Sequence, residues 1–211
     1  MAQSELKTVV GMFDDLGDAR QAVNELKSRG FTDSEVSLVA NASTGDYQGH
    51  FDSEGRYQEK KEAGGGAETG AGIGAILGGL AGLLAGLSLI TIPGIGPILG
   101  AGPVASTLMG AVAGGLVGGL LGALVDVGVP EEHAGYYSEG VRRGGTLVIV
   151  KTNAGQVDQV SSLLQQFNPV DVEQRVSSWR QQGWKAYDPK AAAYTPSQIE
   201  EERRSYARPR F

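Results

Sequence analysis

The chain has 211 residues with 18 basic and 24 acidic side chains, which gives a formal net charge of -6. This length accommodates one ordinary domain or two small ones and excludes a large multidomain enzyme. The acidic balance argues against a protein that coats nucleic acid, so no nucleic-acid partner is expected. Cysteine is absent, which excludes disulfide frameworks, thiolate metal sites and cysteine nucleophiles. The first residues lack a basic stretch followed by an apolar run, so the sequence predicts no secretory signal.

Residues 1–40 predict a strand, a helix and a second strand. A β-rich run from Thr8 to Phe13 precedes Asp14 and Asp15, either of which can cap the first amides of a helix. Apolar residues then recur at helical spacing, and Gly30 stands where a left-handed C-terminal cap is favoured. Alternating residues after this glycine complete a βαβ unit.

Residues 128–176 repeat this pattern after a short helix that begins at Pro130. The repeat predicts a strand at residues 146–151, a helix at residues 156–167 and a last strand from Val170 to Val176. Two such units in one sheet predict an α+β fold, a ferredoxin-like split βαββαβ sandwich.

Between the two units, residues 41–68 predict a polar, flexible arm, and residues 69–127 predict a helical hairpin. No charged or aromatic residue occurs from Thr69 to Val125. Glycine recurs there at every fourth position in two ladders, so each ladder lies on one helix face and permits close approach of another backbone, as in a glycine zipper. The ladder glycines are Gly70, Gly74, Gly78, Gly82, Gly86, Gly110, Gly114, Gly118 and Gly122. The predicted turn between the helices contains Pro93, Gly94, Gly96 and Pro97.

Both faces of this predicted hairpin are apolar, so a monomer in water would expose a large apolar surface. A helix over residues 70–90 would extend roughly 31 Å and one over residues 101–125 roughly 37 Å, against about 30 Å of bilayer hydrocarbon. The hairpins are therefore either transmembrane helices in contact with lipid, or helices buried in the core of a soluble homo-oligomer. Acidic flanks and the lack of a Trp or Tyr belt argue against lipid contact.

Residues 177–211 form an aromatic and basic C-terminal tail that contains Trp179, Trp184 and Tyr187. This composition suits a membrane interface or the surface of a neighbouring subunit, and it makes these three residues, with Arg142 and Arg143, candidate interface anchors. Two simpler interpretations stay open. The tail can pack on its own domain, and the two arginines can act as favourable cations at a helix C-terminus.

Several short motifs resemble one bacterial family. They are IPGIGP at residues 92–97, AGP at 101–103, GVPEE at 128–132, the tyrosine pair at 136–137, GVRRGG at 140–145 and WKAYDP at 184–189. Together they resemble the general stress proteins of the 17M / YflT-like type, whose members are labelled low-temperature-induced or heat-induced. The resemblance implies a stress-associated bacterial protein without a defined molecular activity, and it supplies no catalytic residues.

No convergent acid, base or nucleophile stands out in the sequence, and His50 and His133 have neither a second histidine four positions away nor a cysteine nearby. We therefore expect no catalytic residue, metal site, cofactor or small-molecule substrate. The predicted function is that of a non-enzymatic stress-response protein that self-assembles as a homo-oligomer through its glycine zippers. We expect it on the cytoplasmic side of the bacterial inner membrane, with lipid as a partner, or in the cytoplasm. The alternative is a soluble structural assembly with the hairpins buried in its core.

Overall fold

The computed structural model describes residues 6–41, 88–92, 96–101, 119–192 and 194–206. Across these residues the fold is mixed α+β, with five strands and six α-helices. The strands are β1 (Leu6–Phe13), β2 (Val36–Asn41), β3 (Ser88–Ile92), β4 (Gly96–Ala101) and β5 (Thr146–Asn153). The helices are α1 (Leu16–Ser28), α2 (Gly119–Asp126), α3 (Glu131–Arg142), α4 (Val157–Leu164), α5 (Val172–Gln181) and α6 (Pro196–Tyr206).

The five strands form one sheet in the order β1-β5-β2-β4-β3, and all neighbouring strands are antiparallel. Because β5 lies between β1 and β2, these two strands run in the same direction, and α1 connects them. The strand, helix and strand predicted for residues 1–40 are therefore confirmed. The first strand of the second unit is inserted between them.

One face of the sheet is covered by α1 and α4. Asp15 caps α1, because its Oδ1 accepts hydrogen bonds from the amides of Gly17 at 2.6 Å and Asp18 at 3.4 Å. Both helices bury a stripe of apolar residues at helical spacing. These buried residues are Ala19, Ala22, Val23, Leu26, Val160, Leu163 and Leu164. They form one core cluster with strand residues that include Phe13 and Val148.

The opposite face of the sheet is covered by α2, α3 and α5. Residues of these helices share a second core cluster with Met12, Leu147 and Ile149 from the strands. The whole of β2 and the first five residues of β5 are therefore buried. The central strands lie between two layers of helices.

The last strand predicted for the second unit, Val170 to Val176, is wrong. Residues from Val172 onward form α5, and Asp171 caps this helix by accepting a hydrogen bond from the Gln174 amide at 3.0 Å. Val176 and Trp179 are buried at helical spacing, which favours the helix over the strand. A single backbone contact takes the place of the strand, in which the Val170 amide donates to the Met12 carbonyl at 2.7 Å.

The predicted helical hairpin is wrong at residues 88–101, whereas the end of its second helix is confirmed, because Gly119–Asp126 form α2. Residues 88–90, predicted as the end of its first helix, lie in β3, and Ala101, predicted as the start of its second helix, ends β4. The chain does reverse at the predicted turn, but it does so between two strands, and Gly96 and Pro97 belong to β4. The physical reason is the run of β-branched residues before Pro93, which favours a strand over a helix.

Most of the predicted glycine zipper lies outside the described residues. This holds for the turn residues Pro93 and Gly94 and for eight of the ladder glycines. Those glycines are Gly70, Gly74, Gly78, Gly82, Gly86, Gly110, Gly114 and Gly118. In the part of the chain that the structure describes, no helix combines the length and the apolar character needed to cross a bilayer.

Candidate functional site

The hairpin formed by β3 and β4 brings the attachments of the two glycine ladders together. Ser88 lies opposite Gly100 in the register of these strands, so the chain enters β3 and leaves β4 at neighbouring strand ends. Opposite Cα atoms of an antiparallel pair are about 5 Å apart. The first ladder precedes Ser88 and the second follows Ala101. Both ladders are therefore attached at the same end of the hairpin.

Pairing of β4 with β2 fixes this hairpin to the central sheet. Leu38 lies opposite Ala101, and Asn41 lies opposite Ile98. Asn41 is 1% exposed, and its Nδ2 donates a hydrogen bond to the Val141 carbonyl at 2.8 Å. The hairpin is thus joined to the folded domain by a strand ladder, whose inner strand is tied to α3.

The last glycine of the second ladder, Gly122, is described, and it lies in α2. A Cβ at Gly122 would meet no atom within 4 Å among the described residues. The neighbouring Leu120 and Leu124 are fully buried in the core beneath α2. In this turn of α2 the leucines contact the domain, and the glycine has open space beside it among the described residues.

A second feature is a buried group of charges that we call the arginine–glutamate cluster, consisting of Glu139, Arg142, Arg143 and Glu202. Glu139 is 0% exposed and accepts hydrogen bonds from Arg142 Nη2 at 2.7 Å and from Arg143 Nε at 2.6 Å. Arg143 Nη1 donates to Glu202 Oε1 at 2.9 Å. The first three residues meet because they lie three and four positions apart on α3. Glu202 comes from α6, so the cluster joins the C-terminal tail to α3.

Aromatic side chains complete the surroundings of Glu202. Trp179 Nε1 donates to Glu202 Oε1 at 2.9 Å, and the Tyr206 hydroxyl donates to the same oxygen at 3.0 Å. The Arg143 guanidinium lies 4.8 Å from the centroid of the Trp179 ring, a cation–π contact. One carboxylate oxygen of α6 therefore accepts from an arginine, an indole and a phenol.

Glycines at the end of α3 allow this close packing. A Cβ at Gly140 would collide with Met12 Sδ, and one at Gly144 would collide with Ile199 Cγ2. Gly144 also has φ +99°, a left-handed conformation that favours glycine. The GVRRGG motif therefore brings the backbone of α3 against β1 on one side and against α6 on the other.

The candidate interface anchors are used inside the chain. Trp179 is 1% exposed, while Arg142 and Arg143 are 9% and 8% exposed, so these side chains are buried within the chain, as the simpler interpretation of a tail packed on its own domain expects. Trp184 and Tyr187 are partly buried against the same core cluster. Burial raises the pKa of Tyr187 to about 12. The tail folds on its own domain because Glu139 and Glu202 neutralise the two arginines there.

Sequence reasoning missed the two carboxylates of this cluster. Glu139 could have been found, because its spacing from Arg142 and Arg143 is that of helical ion pairs. Glu202 could not, since it lies some sixty positions further along the chain and nothing local marks its partner. The sequence singled out the arginine pair and Trp179 as candidate interface anchors, and the structure shows their contacts with residues of the same chain.

The charged groups of the arginine–glutamate cluster form ion pairs with one another, so the cluster is a structural clasp between α3 and α6. Among the described residues, no group of three or more His, Asp or Glu side chains is placed to hold a metal ion. Comparison of the chain with protein-family models, with curated proteins and with solved structures found no match.

Proposed function

We propose that this chain is a non-enzymatic bacterial stress-response protein, of the 17M / YflT-like general stress type, that self-assembles through its glycine ladders. The α+β domain serves as the anchor of the ladders. The observation that carries this proposal is the antiparallel pairing of β3 with β4, which attaches both ladders at one end of the hairpin. Segments that start side by side, each with a glycine face, favour close packing with one another and with the segments of further copies.

The open space at Gly122 supports this role for the ladders. A glycine inside a helix costs about 1 kcal/mol relative to alanine unless close packing compensates it. The described residues offer Gly122 no such packing within the chain. We therefore assign the missing partner of this glycine to another ladder segment, of the same chain or of another copy.

We place the assembly in or on the cytoplasmic side of the bacterial inner membrane, with lipid as a second partner. Support comes from the uncharged and glycine-rich sequence between Thr69 and Val125, which favours an apolar environment. The second candidate is a soluble homo-oligomer with these segments buried in its core. It is favoured by the packing of Trp179 and Trp184 within and against the domain's own core cluster.

We further propose that β1, α1, β2, β5 and α4 are a ferredoxin-like sandwich from which the fourth strand is missing. Both helices pack on one face of the sheet, as that fold requires. The fourth strand would pair with the outer edge of β1. There the Val170 amide donates its hydrogen bond to the Met12 carbonyl before the chain turns into α5.

The test of self-assembly is the double substitution Gly82→Leu and Gly118→Leu in the full chain. Leucine at both positions fills the glycine faces and should dissociate the assembly, which sedimentation velocity would show as a fall in particle mass. Gly155→Leu is the matched control, because a Cβ there meets only Asn153 Oδ1 at 3.5 Å, an ordinary contact. An unchanged particle mass for the double variant would remove the ladders from the mechanism.

Flotation with liposomes separates the two locations. The membrane proposal predicts that the full chain rises with vesicles through a density gradient. The soluble alternative predicts that the protein stays at the bottom as particles larger than one chain. The double leucine variant is the control, because flotation that depends on the ladders should be lost in it.

A further inference from the structure

The outer edge of β1 is one of the two outer edges of the five-stranded sheet, and the other belongs to β3. β1 is the first strand in the sheet order, and its other edge pairs with β5 along all eight residues. Exposure increases toward its start, where Leu6 is 74% exposed. A strand edge of this kind presents backbone donors and acceptors that are ready to pair with another strand.

Two backbone contacts show which residues of β1 direct these groups outward. The Met12 carbonyl points away from β5, because it accepts from Val170. Thr8 lies opposite Lys151, whose amide donates away from β1 to the Glu35 carbonyl, so Thr8 and Lys151 are not hydrogen-bonded to each other. Alternation along a strand then directs the amides and carbonyls of Leu6, Thr8 and Val10 outward.

The stretch that can pair has definite limits. It begins at Leu6, where β1 begins, and it ends before Met12, where Val170 occupies the edge. Among the described residues, no hydrogen bond reaches the outward backbone groups of Leu6, Thr8 and Val10. The centre of this stretch is Thr8.

We propose that the edge of β1 pairs antiparallel with the same edge of a second copy of this chain, with Thr8 on the two-fold axis. Leu6 then lies opposite Val10 of the second copy, and the pairs at 6, 8 and 10 form about six hydrogen bonds of an antiparallel ladder. The two sheets become one continuous sheet. This interface lies in the folded domain, and it does not rest on the proposed role of the glycine ladders.

The side chains favour this register and this partner. Leu6 gains an apolar neighbour in Val10 of the second copy, which is a half-buried residue. Lys7 lies opposite Val9, whereas a shift of two residues toward the N-terminus would place Lys7 opposite Lys7 of the second copy. Like charges directly opposite destabilise a sheet. Because the five-residue stretch is self-complementary about its centre, a second copy satisfies all of its outward groups.

The absence of cysteine allows a direct test of the register in the full chain. In Thr8→Cys the two introduced thiols face each other across the axis, at a Cα separation of about 5.5 Å that permits a disulfide. Mild oxidation should therefore give a covalent dimer on a non-reducing gel. In Lys7→Cys the two thiols are about 8 Å apart at Cα, which is too far for a disulfide.

Val125→Cys is the control for random collision, since Val125 is 39% exposed and belongs to α2 rather than to the edge. The proposal predicts that Thr8→Cys cross-links at least about tenfold faster than Val125→Cys, because pairing raises the effective concentration of the thiols. Equal rates would contradict the proposal. Faster cross-linking of Lys7→Cys would contradict the register.

Repeating the Thr8→Cys oxidation in the Gly82→Leu, Gly118→Leu background distinguishes pairing at the β1 edge from association through the glycine ladders. Persistence of the cross-link shows that the edge pairs on its own, while its loss would overturn that statement. In the same background, Thr8→Pro removes the outward donor and should convert dimers into monomers in sedimentation. Thr8→Val is its matched control, because it loses the hydroxyl contact with the Val127 carbonyl but keeps the backbone amide. Dimers that survive Thr8→Pro would contradict the proposal.

Discussion

The end of α3 and the last turn of the second ladder use glycine in opposite ways. The space that a Cβ at Gly144 would take is occupied by Ile199 of the same chain, and the space beside Gly140 is occupied by Met12. None of the described residues occupies the space that a Cβ at Gly122 would take. The first region is also rich in paired charges, whereas the second belongs to a segment without any. The GVRRGG glycines therefore serve the fold of the monomer, while Gly122 makes no comparable contact with the described residues.

The largest effect on the monomer should come from removing the shared carboxylate of the clasp. Glu139→Ala leaves Arg142 and Arg143 buried without their common partner, which should reduce the free energy of unfolding by about 3–5 kcal/mol. Chemical denaturation of the full chain, followed by circular dichroism, measures this change. Glu201→Ala is the matched control, because Glu201 is an exposed residue of α6. Equal stabilities of the two variants would show that the clasp is dispensable.

The next largest effect is expected at Gly144. Gly144→Ala forces a side chain into a left-handed conformation and against Ile199, so it should lower the free energy of unfolding by about 2–3 kcal/mol. Gly30→Ala is the control, since Gly30 has φ +95° but no atom within 4 Å of its Cβ position. The conformational cost alone is about 1–2 kcal/mol. If both variants lose the same stability, α6 does not pack on Gly144.

A smaller effect should appear in alkaline solution. Burial raises the pKa of Tyr187 from 10.0 to about 12, so the fold favours the neutral phenol. Its contribution to stability is complete below pH 10.0 and is lost as the pH rises toward about 12, because the unfolded chain ionises first. Denaturation midpoints of wild type and Tyr187→Phe across this window measure the effect. The variant should show a shallower decline, and identical declines would place Tyr187 in solvent.

The smallest effect has the opposite sign. Gly122→Ala should stabilise the monomeric domain by about 0.5–1 kcal/mol, because alanine is the better helix former and its Cβ has room. The same substitution should weaken self-assembly if another helix lies against this face. Unfolding and sedimentation measured on one preparation give both values. A loss of monomer stability would reveal an intrachain partner at this glycine.

The first unit of the fold could be predicted from sequence because its signals are local. The strand run before Asp14, the cap at Asp15 and the apolar stripe of α1 lie within a few turns of one another. The same reasoning failed at Val170, where the spacing of Val172 and Val176 suited a strand as well as a helix. Burial of Trp179 and the cap at Asp171 decided for the helix, and only the second of these signals is local.

The clasp was harder to predict than the fold. Its helical half follows from the spacing of Glu139 from Arg142 and Arg143, but its closure requires Glu202 from the far end of the chain. The local sequence of a basic and aromatic tail does not show whether the tail binds a surface of its own chain or a lipid surface. In the first glycine ladder, the recurrence of glycine at every fourth position predicted a helix up to residue 90, whereas the β-branched residues at its end form β3.

The central claim is that the folded domain anchors segments that associate between copies. The most direct test is the particle mass of the purified full chain in detergent-free buffer, measured by sedimentation. We expect a mass that is a multiple of the 22.0 kDa chain, because the ladders join copies of the chain. A single species at the mass of one chain would contradict it.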